Sequence, residues 1–200
     1  GEIVAGGNGQ GNRIDQLNYP TDVILDEKKK SLIICDFGNR RVVRWSLQNP
    51  NDKEILIENI LCGGLMMNEN GDLFVSDNEN HAVKRWKKGE RRKEGMVVAG
   101  GNGEGNKLNQ LNDPTYIFVD REETVYVSDN WNHRVMKWLK GASEGIVVAG
   151  GQGQGNSLNQ LNYPYGLLVN EVGDIYVADS WNNRIMCWPL GSKEGRVVVG

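Results

Sequence analysis

Short apolar runs alternate along the whole chain with turns rich in Gly, Asn and Asp, and no stretch sustains a 3.6-residue period. The first kind of run is Val23-Ile24-Leu25, Leu65-Met66-Met67, Ile117-Phe118-Val119 and Leu167-Leu168-Val169. These runs lack polar alternation, as strands covered on both faces do. A polar turn leads to a second run: Leu32-Ile33-Ile34, Leu73-Phe74-Val75, Val125-Tyr126-Val127 and Ile175-Tyr176-Val177. A third strand ends in Trp, and a fourth is typified by Val147-Val148-Ala149-Gly150. Val42 and Trp45 are three apart and so point to opposite faces of a strand, which requires both faces to be covered.

The pattern is a repeat. The unit Asp-x-x-Asn-x-x-(Val/Ile)-x-x-Trp occurs from Asp36 to Trp45, Asp77 to Trp86, Asp129 to Trp138 and Asp179 to Trp188, with Asp-to-Asp spacings of 41, 52 and 50. Three copies carry a Gly-rich insert, at Gly7–Asn12, Gly101–Asn106 and Gly151–Asn156. The second copy lacks it, and has Cys62 where the others have Pro20, Pro114 and Pro164. Four short strands per repeat predict an all-β chain, a β-propeller of four four-stranded blades. The approximate repeats are 7–60, 61–101, 102–151 and 152–200, with 2–6 a strand of a preceding blade.

The chain resembles the NHL-repeat family over nearly its whole length. Asn132-His133-Arg134-Val135 and Asn80-His81-Ala82-Val83 are similar to its naming tripeptide. Copies one and four depart from it with Asn39-Arg40-Arg41-Val42 and Asn182-Asn183-Arg184-Ile185. The resemblance implies a six-bladed ring, of which these four blades are a part. It also implies two functions: the substrate- or RNA-recruiting propeller of a tripartite-motif-like ubiquitin ligase, and a metal-dependent lyase or lactonase with a site in the central channel.

Charge and cysteine content narrow the partners. Among 200 residues, 26 acids against 23 Lys and Arg give a net charge of −3, without the basic excess that nonspecific nucleic-acid binding uses. RNA therefore ranks below a protein or peptide partner. No apolar run nears the roughly 18 residues of a membrane helix, so no membrane partner is expected. Cys35, Cys62 and Cys187 are odd in number and far apart in sequence, which reads as three buried thiols. With no Asn-x-Ser/Thr sequon, this leans towards an intracellular (cytoplasmic) setting. The chain reads as a piece of a longer protein.

Little in the repeat suggests chemistry. The inserts lack the Lys-Ser/Thr and following helix of a phosphate loop and read as flexible inter-blade loops. His81 and His133 have no cluster of partner ligands, and Asp22 is the only acid well inside an innermost strand, its equivalents being Gly64, Tyr116 and Gly166. No metal, cofactor or catalytic residue is expected. The Asp-x-x-Asn unit reads as a turn and the repeated Trp as blade packing. The basic run Lys87, Lys88, Arg91, Arg92, Lys93 reads as a solvated loop.

The residues that vary inside the fixed turn are the candidate site: Phe37, Trp131 and Trp181, with Arg41, Arg134 and Arg184. Strands alternate in direction, so these turns and the inserts share one face, and aromatic and Arg residues anchor interfaces. The expectation is a non-enzymatic recognition module binding a protein or peptide there.

Overall fold

A computed structural model describes residues 1–90 and 94–200. Arg91, Arg92 and Lys93 of the basic run lie outside the described residues. Sixteen strands among those described form four separate antiparallel meanders. The first contains β1 (Pro20–Asp26), β2 (Ser31–Asp36), β3 (Arg41–Ser46) and β4 (Lys53–Glu58). The second contains β5 (Cys62–Met67), β6 (Leu73–Asp77), β7 (Ala82–Trp86) and β8 (Met96–Gly100). The third runs β9 (Pro114–Val119), β10 (Val125–Asp129), β11 (Arg134–Trp138) and β12 (Ile146–Gly150). The fourth runs β13 (Pro164–Val169), β14 (Ile175–Asp179), β15 (Arg184–Trp188) and β16 (Arg196–Val199). Residues 2–6 lie outside all four sheets, with Ile3 and Val4 exposed.

The first strands pack side by side in chain order, β1 on β5, β5 on β9 and β9 on β13, so they are the innermost strands of a radial arrangement. Core clusters fill the wedges between sheets. Ile33, Val42 and Ile57 meet Leu65 and Val75 between the first and second. Phe74 and Val83 meet Ile117, Val127 and Trp138 between the second and third. Val135 and Leu161 meet Val177, Met186 and Trp188 between the third and fourth. A sheet buried on both faces needs apolar residues at both parities, which is why the inner runs do not alternate.

The repeated Trp closes each wedge from outside. Trp45, Trp138 and Trp188 are buried, and glycines 95, 145 and 195 lie flat against the rings of Trp86, Trp138 and Trp188. A Cβ at any of the three would sit 2.8 Å from the indole, so only glycine fits.

The cysteine expectation is corrected. Cys35 on β2 and Cys62 on β5 are joined in a disulfide with Cα atoms 5.5 Å apart, and only Cys187 is a free buried thiol. The bond crosses from the first sheet to the second, at the junction that lacks the Gly-rich insert. Sequence distance hid it: pairing depends on the innermost strand of one blade lying against the second strand of its neighbour. Disulfides belong to oxidising compartments, so the cysteine argument for an intracellular setting loses its basis. Closing a loop with a separation of 27 residues stabilises by about 3.5 kcal/mol in the chain-entropy account. Cys35→Ala/Cys62→Ala should lower unfolding free energy by about that much in urea titration, with dithiothreitol then having no further effect. No helix among the described residues is long and apolar enough to cross a membrane.

Candidate functional site

Three-residue 3-10 turns, Phe37–Asn39, Asn130–Asn132 and Ser180–Asn182, join the second and third strands of three sheets. They share one face with the inserts: the Gly38 N–H donates to the Asn18 carbonyl at 2.8 Å, Trp131 to Asn112 at 3.2 Å and Trp181 to Asn162 at 3.2 Å. On this face the six sequence-predicted residues separate into two groups.

The arginines form an internal lock. Arg41, Arg134 and Arg184 place Nε 2.6, 2.6 and 2.7 Å from Asp36, Asp129 and Asp179 Oδ2. Their remaining N–H groups donate to three carbonyls of their own insert: Asn12, Arg13 and Gln16 for Arg41, then Asn106, Lys107 and Gln110 for Arg134, then Asn156, Ser157 and Gln160 for Arg184. The same carboxylates accept the N–H of Asn18, Asn112 and Asn162. Asn39, Asn132 and Asn182 bridge each carboxylate to Gly11, Gly105 and Gly155. Arg41 and Arg134 are 6% exposed. These guanidiniums are spent within the blade, and the inserts are pinned rather than flexible. The signal was in the sequence: the copy without an insert has Ala82 in place of Arg.

The aromatics do come together, in part. Trp131 and Trp181 flank Tyr163, with ring centroids 5.9 and 4.9 Å away, and His133 meets the same ring at 4.7 Å. Phe37 belongs to the first blade and does not join them.

The innermost strands hold a second group. Each has a register shift at its first turn, across Pro20/Asp22, Cys62/Leu65 and Pro164/Leu167, with Thr115 and Tyr116 skipped in the third sheet. Such irregularities re-aim side chains. Asp22 sits at this position, and its carboxylate crosses to the next blade to accept the Leu65 N–H at 2.7 Å, while also accepting that of Val23 at 2.8 Å. Gly64, its equivalent on β5, lets the backbone of β9 pack directly on it; a Cβ there would lie 2.7 Å from the Thr115 carbonyl oxygen. Tyr116 on β9 and Tyr165 on β13 place their rings 5.2 Å apart.

Burial pushes the Asp22 carboxyl above the ordinary carboxylate range, against the pull of its two backbone donors. Burial, then the nearby Asp22 charge and each other, raise the Tyr116 phenol. Burial, then Asp113 and Asp22, raise that of Tyr165. Both phenols keep their protons at neutral pH. Among the described residues no three His, Cys, Asp or Glu side chains converge to hold a metal ion, and Gly64, Tyr116 and Gly166 add no carboxylate to Asp22. This donor set does not fit a metal site. Sequence reading weighed Asp22 only as a metal ligand and passed over Tyr163 and Tyr165. Their signal is the aromatic Tyr163-Pro164-Tyr165 where the preceding repeat has Asp113-Pro114-Thr115.

The chain is similar to β-propellers of known structure, and the sheets described above are propeller blades. A gluconolactonase of Xanthomonas campestris superposes with a TM-score of 0.72 at 17% identity, over 92% of this chain and 63% of that one. A streptogramin B lyase superposes with a TM-score of 0.60 at 12% identity, over 88% and 53%. An auxiliary nutrient binding protein of Bacteroides thetaiotaomicron gives 0.69 at 15%, over 86% and 48%. The chain thus spans less than two thirds of the length of these proteins. No protein-family model matches it, and no curated protein does.

The expectation of a non-enzymatic recognition module is corrected here. Two of the similar propellers bear the name gluconolactonase and another that of a lyase. The arginines which that reading placed on a contact surface are consumed by the insert lock.

Proposed function

We propose that the protein is a lactone hydrolase whose reacting centre is the inner-strand cluster of Asp22, Tyr116 and Tyr165. The observation that carries this is a half-buried carboxylate on the innermost strand of the first blade whose charge acts on two phenols, with rings 5.2 Å apart, on those of the third and fourth. The naming of similar propellers as gluconolactonases supports the substrate class. In the same reading the blades are NHL-type repeats and belong to a ring of six.

The chemistry follows from the protonation states. Asp22, a base strengthened by desolvation, takes a proton from water as the water oxygen bonds to the lactone carbonyl carbon. The carbonyl π electrons move to oxygen, and the Tyr116 and Tyr165 hydroxyls donate hydrogen bonds to the oxyanion. Its collapse breaks the ring C–O bond. The departing ring oxygen takes the proton held by Asp22, giving the hydroxy acid and restoring the carboxylate.

The pH dependence has a definite sign. Only ionised Asp22 is a base, and its folded pKa is raised. The log of kcat/KM should therefore rise with unit slope and level off above the ordinary carboxylate range, roughly pH 4, rather than below it. Following hydrolysis of D-glucono-1,5-lactone and γ-butyrolactone by pH-stat across this range tests the proposal. A rate no faster than the buffer at every pH, for both lactones, overturns it.

A further inference from the structure

We propose that Trp131, Tyr163 and Trp181 form a platform for a planar aromatic ring carried by the substrate, which makes the substrate class a neutral, aryl-bearing lactone. This rests on the lactone reading above and deepens it.

The fold does not need these side chains. Residues that hold the blades together repeat in register, as Trp45, Trp86, Trp138 and Trp188 do. The turn position of Trp131 and Trp181 is instead Gly38 and Glu79 in the other copies, and that of Tyr163 is Tyr19, Leu61 and Asp113. Trp131 is 58% exposed and Trp181 69%, although they touch only across Tyr163. Large aromatics clustered and left in water at one inter-blade corner mark a binding surface, where scattered single ones do not.

The backbone that carries the platform is fixed before any ligand arrives. The backbone N–H of each Trp donates to the loop below, at Asn112 and Asn162, which fixes the turn that carries it. Tyr163 is held in the left-handed region at φ 49°, immediately before Pro164, where both the aromatic side chain and the following proline disfavour it. Its N–H donates to His133 Nδ1 at 3.2 Å, which anchors it across the blade boundary. Backbone strain of this kind persists only where the surroundings over-determine it, and it collects at ligand sites. Tyr19 and Asp113 share the conformation at the equivalent positions, so the repeat itself supplies it and Tyr163 adds an aromatic ring to it.

Position and charge then set the ligand. Tyr163 lies immediately before β13, two residues from Tyr165 in the chain, so platform and reacting centre share one blade. A substrate with its ester at Asp22 can lay a substituent ring on the tryptophans. Arg134 and Arg184, the repeat cations of these two blades, already donate to their own carboxylates and inserts. Asp22 and Asp113 put negative charge close to Tyr165. Burial also keeps His133 below its ordinary pKa and so neutral at pH 7. An anionic substituent would meet repulsion and no guanidinium partner; a neutral aromatic ring meets three π faces.

The test separates the platform from the reaction by using an unreactive lactam. 5-Phenyl-2-pyrrolidinone and 2-pyrrolidinone are titrated calorimetrically into the protein and into Trp131→Ala/Trp181→Ala, with folding checked by urea unfolding. Stacking of one ring is worth about 1–3 kcal/mol, so the phenyl lactam should bind roughly 5- to 150-fold tighter than the bare one. The double variant should bring that ratio near one. In turnover, γ-phenyl-γ-butyrolactone should be preferred over γ-butyrolactone through a lower KM. Phenyl-selective binding without hydrolysis of either lactone supports the platform and overturns the reaction. Hydrolysis without phenyl selectivity, or selectivity that survives in a folded double variant, overturns the platform.

Discussion

Arg134→Ala is expected to destabilise the protein by about 3–5 kcal/mol, the range for removing one partner of a buried ion pair. The size follows from what is left behind. Asp129 is fully buried, and without the guanidinium at 2.6 Å it retains only the Asn112 N–H and the Asn132 amide. Three carbonyls of the 106–110 stretch lose their donors at the same time. Arg134→Lys should recover little, because an ammonium cannot serve one carboxylate and three carbonyls from a planar fork. Equilibrium urea unfolding checks this, with Ala82→Ser as a comparison at the blade that has no insert to hold. A loss under 1 kcal/mol for Arg134→Ala would place the guanidinium in solvent, where surface ion pairs contribute that little.

The fold was legible because propeller blades write themselves repeatedly. Four positions recurring in register, and inner runs without alternation, give strands, sheet order and packed faces together. The site was less legible, for a physical reason. The Asp-x-x-Asn-x-Arg unit reads equally as exposed arginine or as a lock, until the insert carbonyls are seen to lie over it. The co-occurrence of Arg and insert in three blades, with Ala82 in the blade lacking both, was the available clue. Asp22 with Leu65, Tyr116 with Tyr165, and Cys35 with Cys62 are contacts between blades. The register of one inner strand against the next is not written in either strand alone. Trp131 and Trp181 were visible as departures from the repeat; their meeting on Tyr163 was not.

Asp22→Asn is expected to lower kcat/KM for lactone hydrolysis by about 10²- to 10⁴-fold, the range for loss of a positioned general base. The amide cannot take a proton from water, but its carbonyl oxygen can still accept one of the two N–H groups of Val23 and Leu65. Stability is not the confounding factor. Because its folded pKa is raised, Asp22 contributes most to stability when protonated, and that contribution is lost as pH rises through the folded value. At neutral pH the asparagine removes an ionisation the fold disfavours and costs about one hydrogen bond, roughly 1 kcal/mol. Hydrolysis of γ-butyrolactone by the wild-type protein and by folded Asp22→Asn, side by side at pH 7, tests the central claim most directly. The account predicts measurable turnover in the first and a loss of at least 100-fold in the second. Equal rates in the two proteins would contradict it and move the reaction away from the inner strands.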